Sequence, residues 1–386
     1  MKTLPVFFLL LLTIVPVDGN EELDPQGPAM DVVFCVDLSG SSNGILDDIR
    51  DRYWEVINQV SNYRPTPTLR IAVVGFSRPS FGARNHYVKV LKGFTSDFDL
   101  LSYELFKLQP YIEKGDQMVG SAIRTCVREL DWSEDSQSIK VIYLIGNGRV
   151  DLGPISYLDA CDMAVKEGIT INTLYCKTAR NMPEEESGWR NIARVSGGNY
   201  NQIFIHKRPP VLVTTYDSTE LYKLSNSLSK TYMGYGKKGE ERIKVMAKAD
   251  ENAYFANLMT FESRMYYKIS ERYQFQNSQW DLVDYLRWND KLPGNYHGFS
   301  SESLSNSNGD QAMDHVKKLR EVRRDLLGLL RKHIPLDRQE QINRMLDERG
   351  LRRSENFERV VINSLDNLAA SKGMSITPGG KYEFSR

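Results

Sequence analysis

The chain has 386 residues, 41% hydrophobic and 26% charged, which gives it enough apolar material for a sizeable core and about two domains at ~150 residues each. Fifty basic and fifty acidic side chains cancel, so the balance excludes a partner held by global charge, whether nucleic acid or an anionic membrane surface. The same composition excludes a disordered chain.

The first residues, MKTLPVFFLLLLTIVPVDGN, combine a short basic start, an apolar run over 4–17 and a small residue at Gly19. The run falls short of the roughly 20 residues that a spanning helix needs, so 1–19 reads as a cleaved secretory signal peptide. Nothing later is long and apolar enough to span. The expectation is a secreted or periplasmic protein without membrane insertion, and the absence of any N-x-[ST] sequon fits a bacterial origin.

DVVFCVDLSGSS, residues 31–42, follows. Val32, Val33, Phe34, Cys35 and Val36 read as a strand buried on both faces, which places Asp37, Ser39 and Ser41 at its end. Ile45, Ile49, Tyr53, Val56 and Val60 then recur at helical spacing. LRIAVVGF (69–76) and YVKVLKGF (87–94) predict two strands paired antiparallel. A helix over 100–108 follows, then one with Val119, Ile123, Val127 and Leu130 on one face. IKVIYLIGNG (139–148) is a buried strand, ISYLDACDMAVKEG a helix stopped by Gly168, ITINTLYC a strand, and GWRNIARVSGGNYNQI a short helix and last strand. The alternation predicts a doubly wound α/β fold: a mainly parallel, six-stranded, Rossmann-like sheet with helices on both faces.

Leu221, Leu224 and Leu228 mark one more packing helix, and residues 234–242 read as a hinge. Everything from 243 to the end is helical in pattern. Tyr254, Leu258, Phe261, Met265, Ile269 and Tyr273 form one stripe, Met313, Val316, Leu319, Leu326 and Leu330 a second, and Phe357, Val361, Leu365 and Leu368 a third. These stripes are too apolar to stay wet, so they are expected to fold back on the first unit or pair together. The division is therefore a signal peptide (1–19), an α/β domain (28–233) and a helical C-terminal region (243–386) with a polar linker near 293–310. The basic stretch 315–332 carries a packing stripe and reads as a helix with a solvated face.

In an open parallel sheet, ligands bind beyond the carboxyl ends of the strands at the switch point of strand order. Three loops carry oxygen donors there: Asp37, Ser39 and Ser41 in a D-x-S-x-S pattern, Asp116 in KGDQ, and Asn147 in GNG. Such donors suit a hard cation, Mg²⁺ foremost, with Mn²⁺ or Ca²⁺ as alternatives. Each also has a plain reading, as a turn, a helix cap or a loop residue. With its D-x-S-x-S after the first strand, RIAVVGFS and WRNIARVSGGNY, the segment 31–203 resembles a von Willebrand factor type A domain. That resemblance implies a metal-ion-dependent adhesion site, built in the family from D-x-S-x-S, a Thr or Asp on the second loop and an Asp on the third. Here Asp116 and Asn147 stand at the latter two places. Two carboxylates are kept, but the cation would attract a partner carboxylate less strongly. The tail further resembles that of uncharacterised exported bacterial proteins with this domain.

The implied function is a non-catalytic interaction protein whose partner is another protein. The alternatives are a structural domain with a degenerate site and an envelope hydrolase. His86, His206, His297, His315 and His333 are scattered, and no H-E-x-x-H, G-x-S-x-G or phosphate-cradling glycine loop occurs. The four cysteines lack metal spacing. Cys35 and Cys126 read as buried thiols, and Cys161 with Cys176, the pair closest in sequence, as the candidate disulfide.

Overall fold

The computed structural model describes residues 27–40, 44–108, 113, 115–177, 183–204, 218–294, 309–334 and 357–376. The signal-peptide reading, Ser41 and most of the 293–310 linker lie outside them. The centre is a sheet in the order β4-β3-β1-β5-β6-β7, built from β1 (Ala29–Asp37), β3 (Thr68–Phe76), β4 (Lys89–Thr95), β5 (Ile139–Gly146), β6 (Thr170–Lys177) and β7 (Tyr200–Phe204). All neighbours run parallel except β4, which is antiparallel to β3. This is the doubly wound architecture that the alternation predicts.

The central strand shows why its sequence is a continuous apolar run. Val32, Phe34 and Val36 pack into the core on one face of the sheet, and Val33 and Cys35 into the core on the other. The second face carries α3 (Val119–Arg128), α4 (Tyr157–Lys166) and α5 (Pro183–Val195). The first carries α1 (Ile45–Val60), α2 (Phe98–Lys107) and α6 (Ser218–Ser229). From β1 the chain winds to β3 on one side and later to β5 on the other. The carboxyl ends of β1 and β5 therefore form the switch point, with Val36 paired to Ile145.

The helices beyond residue 233 pack mostly into the first core, apart from a smaller separate one made by Met233, Tyr235, Leu282, Val283, Leu286, Ala312 and Val316. The helices are α7 (Gly239–Ala256), α8 (Leu258–Lys268), α9 (Glu271–Asn277), α10 (Leu282–Trp288), α11 (Gly309–His333) and α12 (Phe357–Ser371). The last returns to the sheet: the Phe357 ring lies 5.6 Å from Phe34, the Tyr143 hydroxyl donates to the Val361 carbonyl, and Asn172 Nδ2 donates to Ser364 Oγ at 2.8 Å. Beyond it, β8 (Ser375–Ile376) pairs antiparallel with β2 (Tyr63–Arg64).

Three expectations are corrected. The stripe from Tyr254 to Tyr273 is three helices: Asn257, extended at φ −175°, caps α8 by accepting from the Thr260 N–H, and Ser270 caps α9 through the Tyr273 N–H. The 234–242 hinge is packed chain, since the Tyr235 N–H donates to the Trp280 carbonyl and a β-carbon on Gly234 would stand 2.5 Å from Gly239 backbone. Cys161 and Cys176 are not joined. Both are free and buried, Cys161 in the core on the α3–α5 face and Cys176 in the core on the opposite face.

The helical region also buries charge. Arg264 and Lys268, both fully buried, meet Asp250 at 3.0 and 2.5 Å, and Arg264 reaches Asp99 on α2 at 2.8 Å. Arg323, inside the basic stretch expected to face solvent, is buried against Asp281 and Asp284 with its guanidinium 4.0 Å from the Tyr232 ring. Cations carried inward in this way need their partners within reach, because burying one unpaired costs several kcal/mol.

Candidate metal centre

The first loop leaves the sheet at Asp37, whose side chain is fully buried. The Leu38 N–H donates to the Phe76 carbonyl at 3.0 Å, which holds the chain beside β3 for one more residue. The Ser39 N–H then turns back onto Asp37 Oδ1 at 2.9 Å, and Ser39 itself is nearly buried. An aspartate that accepts its own loop's amide is fixed in rotamer. Ser41 lies outside the described residues.

The second loop is clasped to the first. The Gly40 N–H donates to the Glu113 carbonyl at 3.1 Å. The Glu113 carboxylate accepts from the Ser80 N–H and hydroxyl at 2.9 and 2.8 Å and faces Arg78 at 3.6 Å. These contacts, the Ser80 amide first, hold the Glu113 carboxyl below the usual range. Gly115 presses on Ser77, where a β-carbon would stand 2.1 Å from the carbonyl oxygen. Asp116 follows and is exposed. It does not cap α3: the residue before that helix is Met118, which makes no side-chain cap.

The third loop closes from β5. Gly146 lies against Asp37, Asn147 is buried and donates through Nδ2 to the Cys176 carbonyl at 3.3 Å, and Gly148 takes φ +83°. The Gln117 side chain covers Gly148, and the Trp189 indole N–H donates to the Gly148 carbonyl at 2.8 Å. All three loops thus meet at the β1/β5 switch point. Asp37, Ser39 and Asn147 sit at the strand ends, and Asp116 sits between Gly115 and Gln117, which touch Ser77 and Gly148.

The Cys176 thiol is pushed well up by burial first and then by the Asp37 charge. Among the described residues no three His, Cys, Asp or Glu side chains are grouped to hold a metal. The donors at these loops are one buried carboxylate, a hydroxyl, an amide and an exposed carboxylate. That set fits a hard cation that keeps several waters and does not fit a transition metal wanting imidazole or thiolate.

Sequence reasoning missed Ser77, Glu113 and Gln117, which hold the loops together. Ser77 is fully buried at φ 64°, with a hydroxyl that finds no hydrogen-bond partner among the described residues. Backbone strain of this kind gathers where function constrains a loop, but the letters GFS do not show it.

No family model matches the chain, and no curated protein matches it. Solved structures do. An aerotolerance-related membrane protein from Bacteroides fragilis is 16% identical over 45% of this chain and 92% of its own, with a TM-score of 0.33. Proximal thread matrix protein 1 from the mussel byssus, with a zinc-occupied MIDAS motif, is 19% identical over 47% of this chain and 43% of its own, TM-score 0.37. A von Willebrand factor type A protein from Catenulispora acidiphila is 15% identical over 46% and 39%, TM-score 0.35. The six-stranded sheet with an antiparallel edge strand and helices on both faces is the type A arrangement that the sequence resembles.

Proposed function

We propose that this chain is a non-catalytic protein-interaction molecule, acting in the secreted or periplasmic space, that binds a divalent cation at the β1/β5 switch point. The reading rests on one observation: a fully buried Asp37, pinned by the Ser39 amide, stands where two further oxygen-bearing loops are clasped onto its own. Asp37, Ser39, Ser41, Asp116 and Asn147 would hold Mg²⁺, or Mn²⁺ or Ca²⁺ in its place. When bound, the cation would supply a positive centre that an oxygen of the partner protein is drawn to. The chain's own part is to hold Asp37 in place, orient Ser39 and shut water out from below through the packed strand ends.

A second reading, a structural domain whose site has lost its metal, draws on the exposure of Asp116 and on the Asn147 amide already committed to the Cys176 carbonyl. One experiment separates the two. Because a ligand that binds only the folded state stabilises it, Mg²⁺ or Mn²⁺ at a hundred times its dissociation constant adds ~2.7 kcal/mol, read as a raised melting temperature against a chelator control. The shift should vanish in Asp37→Ala. If no divalent ion at millimolar concentration moves the parent's melting curve, the metal reading fails and the structural one stands.

A further inference from the structure

A cleft of about 190 Å³, several times the ~30 Å³ that one water occupies in the liquid, opens where the start of α2 meets α7, α8 and α9. The Ser96 hydroxyl, which lines it, donates to the Leu69 carbonyl at 2.9 Å, and β1 pairs Met30 with Leu69 but Asp37 with Phe76. The cleft therefore lies at the amino end of the parallel strands, the far end of the sheet from Asp37.

Its carboxylates are already occupied. Asp97 Oδ1 accepts from the Leu100 N–H at 3.1 Å and Oδ2 pairs with Arg242, while Asp99 Oδ1 meets Arg264 at 2.8 Å and Oδ2 accepts from the Tyr273 hydroxyl at 2.8 Å. Donors are left over. The Tyr267 hydroxyl donates to Gln276 Oε1 at 2.8 Å, which fixes that amide with Nε2 as its open end. Asn277 is 3% exposed, with a carbonyl that accepts from the Trp280 and Asp281 N–H groups, and its Nδ2 finds no hydrogen-bond partner among the described residues. A buried donor left unpaired is costly, and folded proteins keep few of them. Arg242 gives one Nη to Asp97, and no other acceptor among the described residues meets its guanidinium.

We infer that this cleft binds a small free carboxylic acid in its ionised form, held by the open edge of the Arg242 fork together with the Gln276 and Asn277 amides. An ionised carboxylate only accepts, which is what a lining with surplus donors selects. The charges narrow the class further. Asp97 and Asp99 already balance Arg242 and Arg264, so a doubly charged sulfate or phosphate would meet two carboxylates with no net cation to offset them. A planar, singly charged carboxylate matches the guanidinium fork, and the volume limits the acid to a few carbon atoms. The binding requires no divalent ion.

Titration calorimetry of the full chain, in chelator, compares sodium propionate and sodium lactate at millimolar concentration with sodium sulfate and with propionamide, the uncharged counterpart of propionate. The expected result is saturable binding of the two acids and of neither control. Arg242→Lys keeps a cation beside Asp97 but loses the fork, and should weaken binding about tenfold, the scale of one charge-assisted hydrogen bond. Asn277→Leu removes an unpaired donor, so its midpoint in urea should be no lower than the parent's while its affinity for the acids falls. The inference is overturned if neither acid binds, if sulfate or propionamide binds as well as they do, or if both variants bind as tightly as the parent. A lowered urea midpoint in Asn277→Leu would also count against it, by showing that the amide already serves the fold.

Discussion

A β-carbon on Gly146 would stand 2.5 Å from the β-carbon of Asp37 and 3.2 Å from its Oδ2, so the third loop's strand is packed directly against the first loop's carboxylate. The Trp189 ring, also 3.2 Å away, closes the other side. Gly146→Ala is therefore expected to force Asp37 out of place. Overpacking of this kind costs about 1–3 kcal/mol, read as a lower midpoint in urea, and should also shrink the shift that Mg²⁺ or Mn²⁺ produces. A variant as stable as the parent would show that the strand ends separate more easily than this packing implies.

Asn147→Asp tests the charge at the same place. The substitution removes the Nδ2 donor from the Cys176 carbonyl and brings a second anion toward buried Asp37. Without divalent ions the variant should lose about 1–3 kcal/mol, the scale of leaving a buried polar group unpaired. With Mg²⁺ it should recover, because an added carboxylate strengthens a hard-cation site. The thermal shift between chelator and Mg²⁺ should then exceed the parent's. An equal or smaller shift would place Asn147 outside the cation's reach.

The central strand and the polar loop at its end were legible because each depends on local pattern. A continuous apolar run must be buried on both faces, and a polar D-x-S-x-S after it has only the strand's end to occupy. What the sequence could not show are relations set by partners far along the chain. Cys161 and Cys176 are near in sequence but lie in cores on opposite faces of the sheet, whereas Cys35 and Cys126, far apart in sequence, share one core. Glu113, whose carbonyl clasps Gly40 and whose carboxylate holds Ser80, looks like any surface acid. Arg264, Lys268 and Arg323 stand on helices that read as amphipathic, and only folding brings Asp99, Asp250 and Asp281 to neutralise them. The break at Asn257 was readable in principle, since an Asn that caps the amide three residues on is a helix-start signal.

Buried carboxyls give the stability a pH dependence. Glu262 on α8 is fully buried and pushed up to about 8, by burial first and then by the Glu55 carboxylate of α1. Asp48 on α1 is pushed up to about 7, again chiefly by burial, against the pull of Arg52. In the unfolded chain Glu262 loses its proton near 4.5, whereas the folded chain keeps it to about 8. Between those values the native state holds more protons, so stability falls as pH rises through the window. Glu262→Gln removes this contribution. Its stability relative to the parent should be unchanged near pH 4.5 and should improve by roughly 1–3 kcal/mol by pH 9, allowing for relaxation of the site. Parallel denaturant curves for the two proteins across that range would show Glu262 to be ionised throughout.

The last helix decides whether the sheet can stand without the C-terminal region. Phe357 on α12 is buried against Phe34 of β1, Val361 accepts from Tyr143 of β5, and Asp366 accepts from Tyr63 at 2.6 Å and from Gln59 on α1 at 3.0 Å. One face of the two central strands is thus covered by residues more than 200 positions downstream of them. Phe357→Ala should cost about 3–5 kcal/mol, the usual range for emptying a buried aromatic site. A fragment of residues 28–233 leaves Phe34 and Tyr143 facing water, and is expected to show no cooperative thermal transition and to bind a hydrophobic dye. A fragment that melts cooperatively, near the parent's temperature, would show that the α/β unit folds by itself and that α12 is an addition to a finished core.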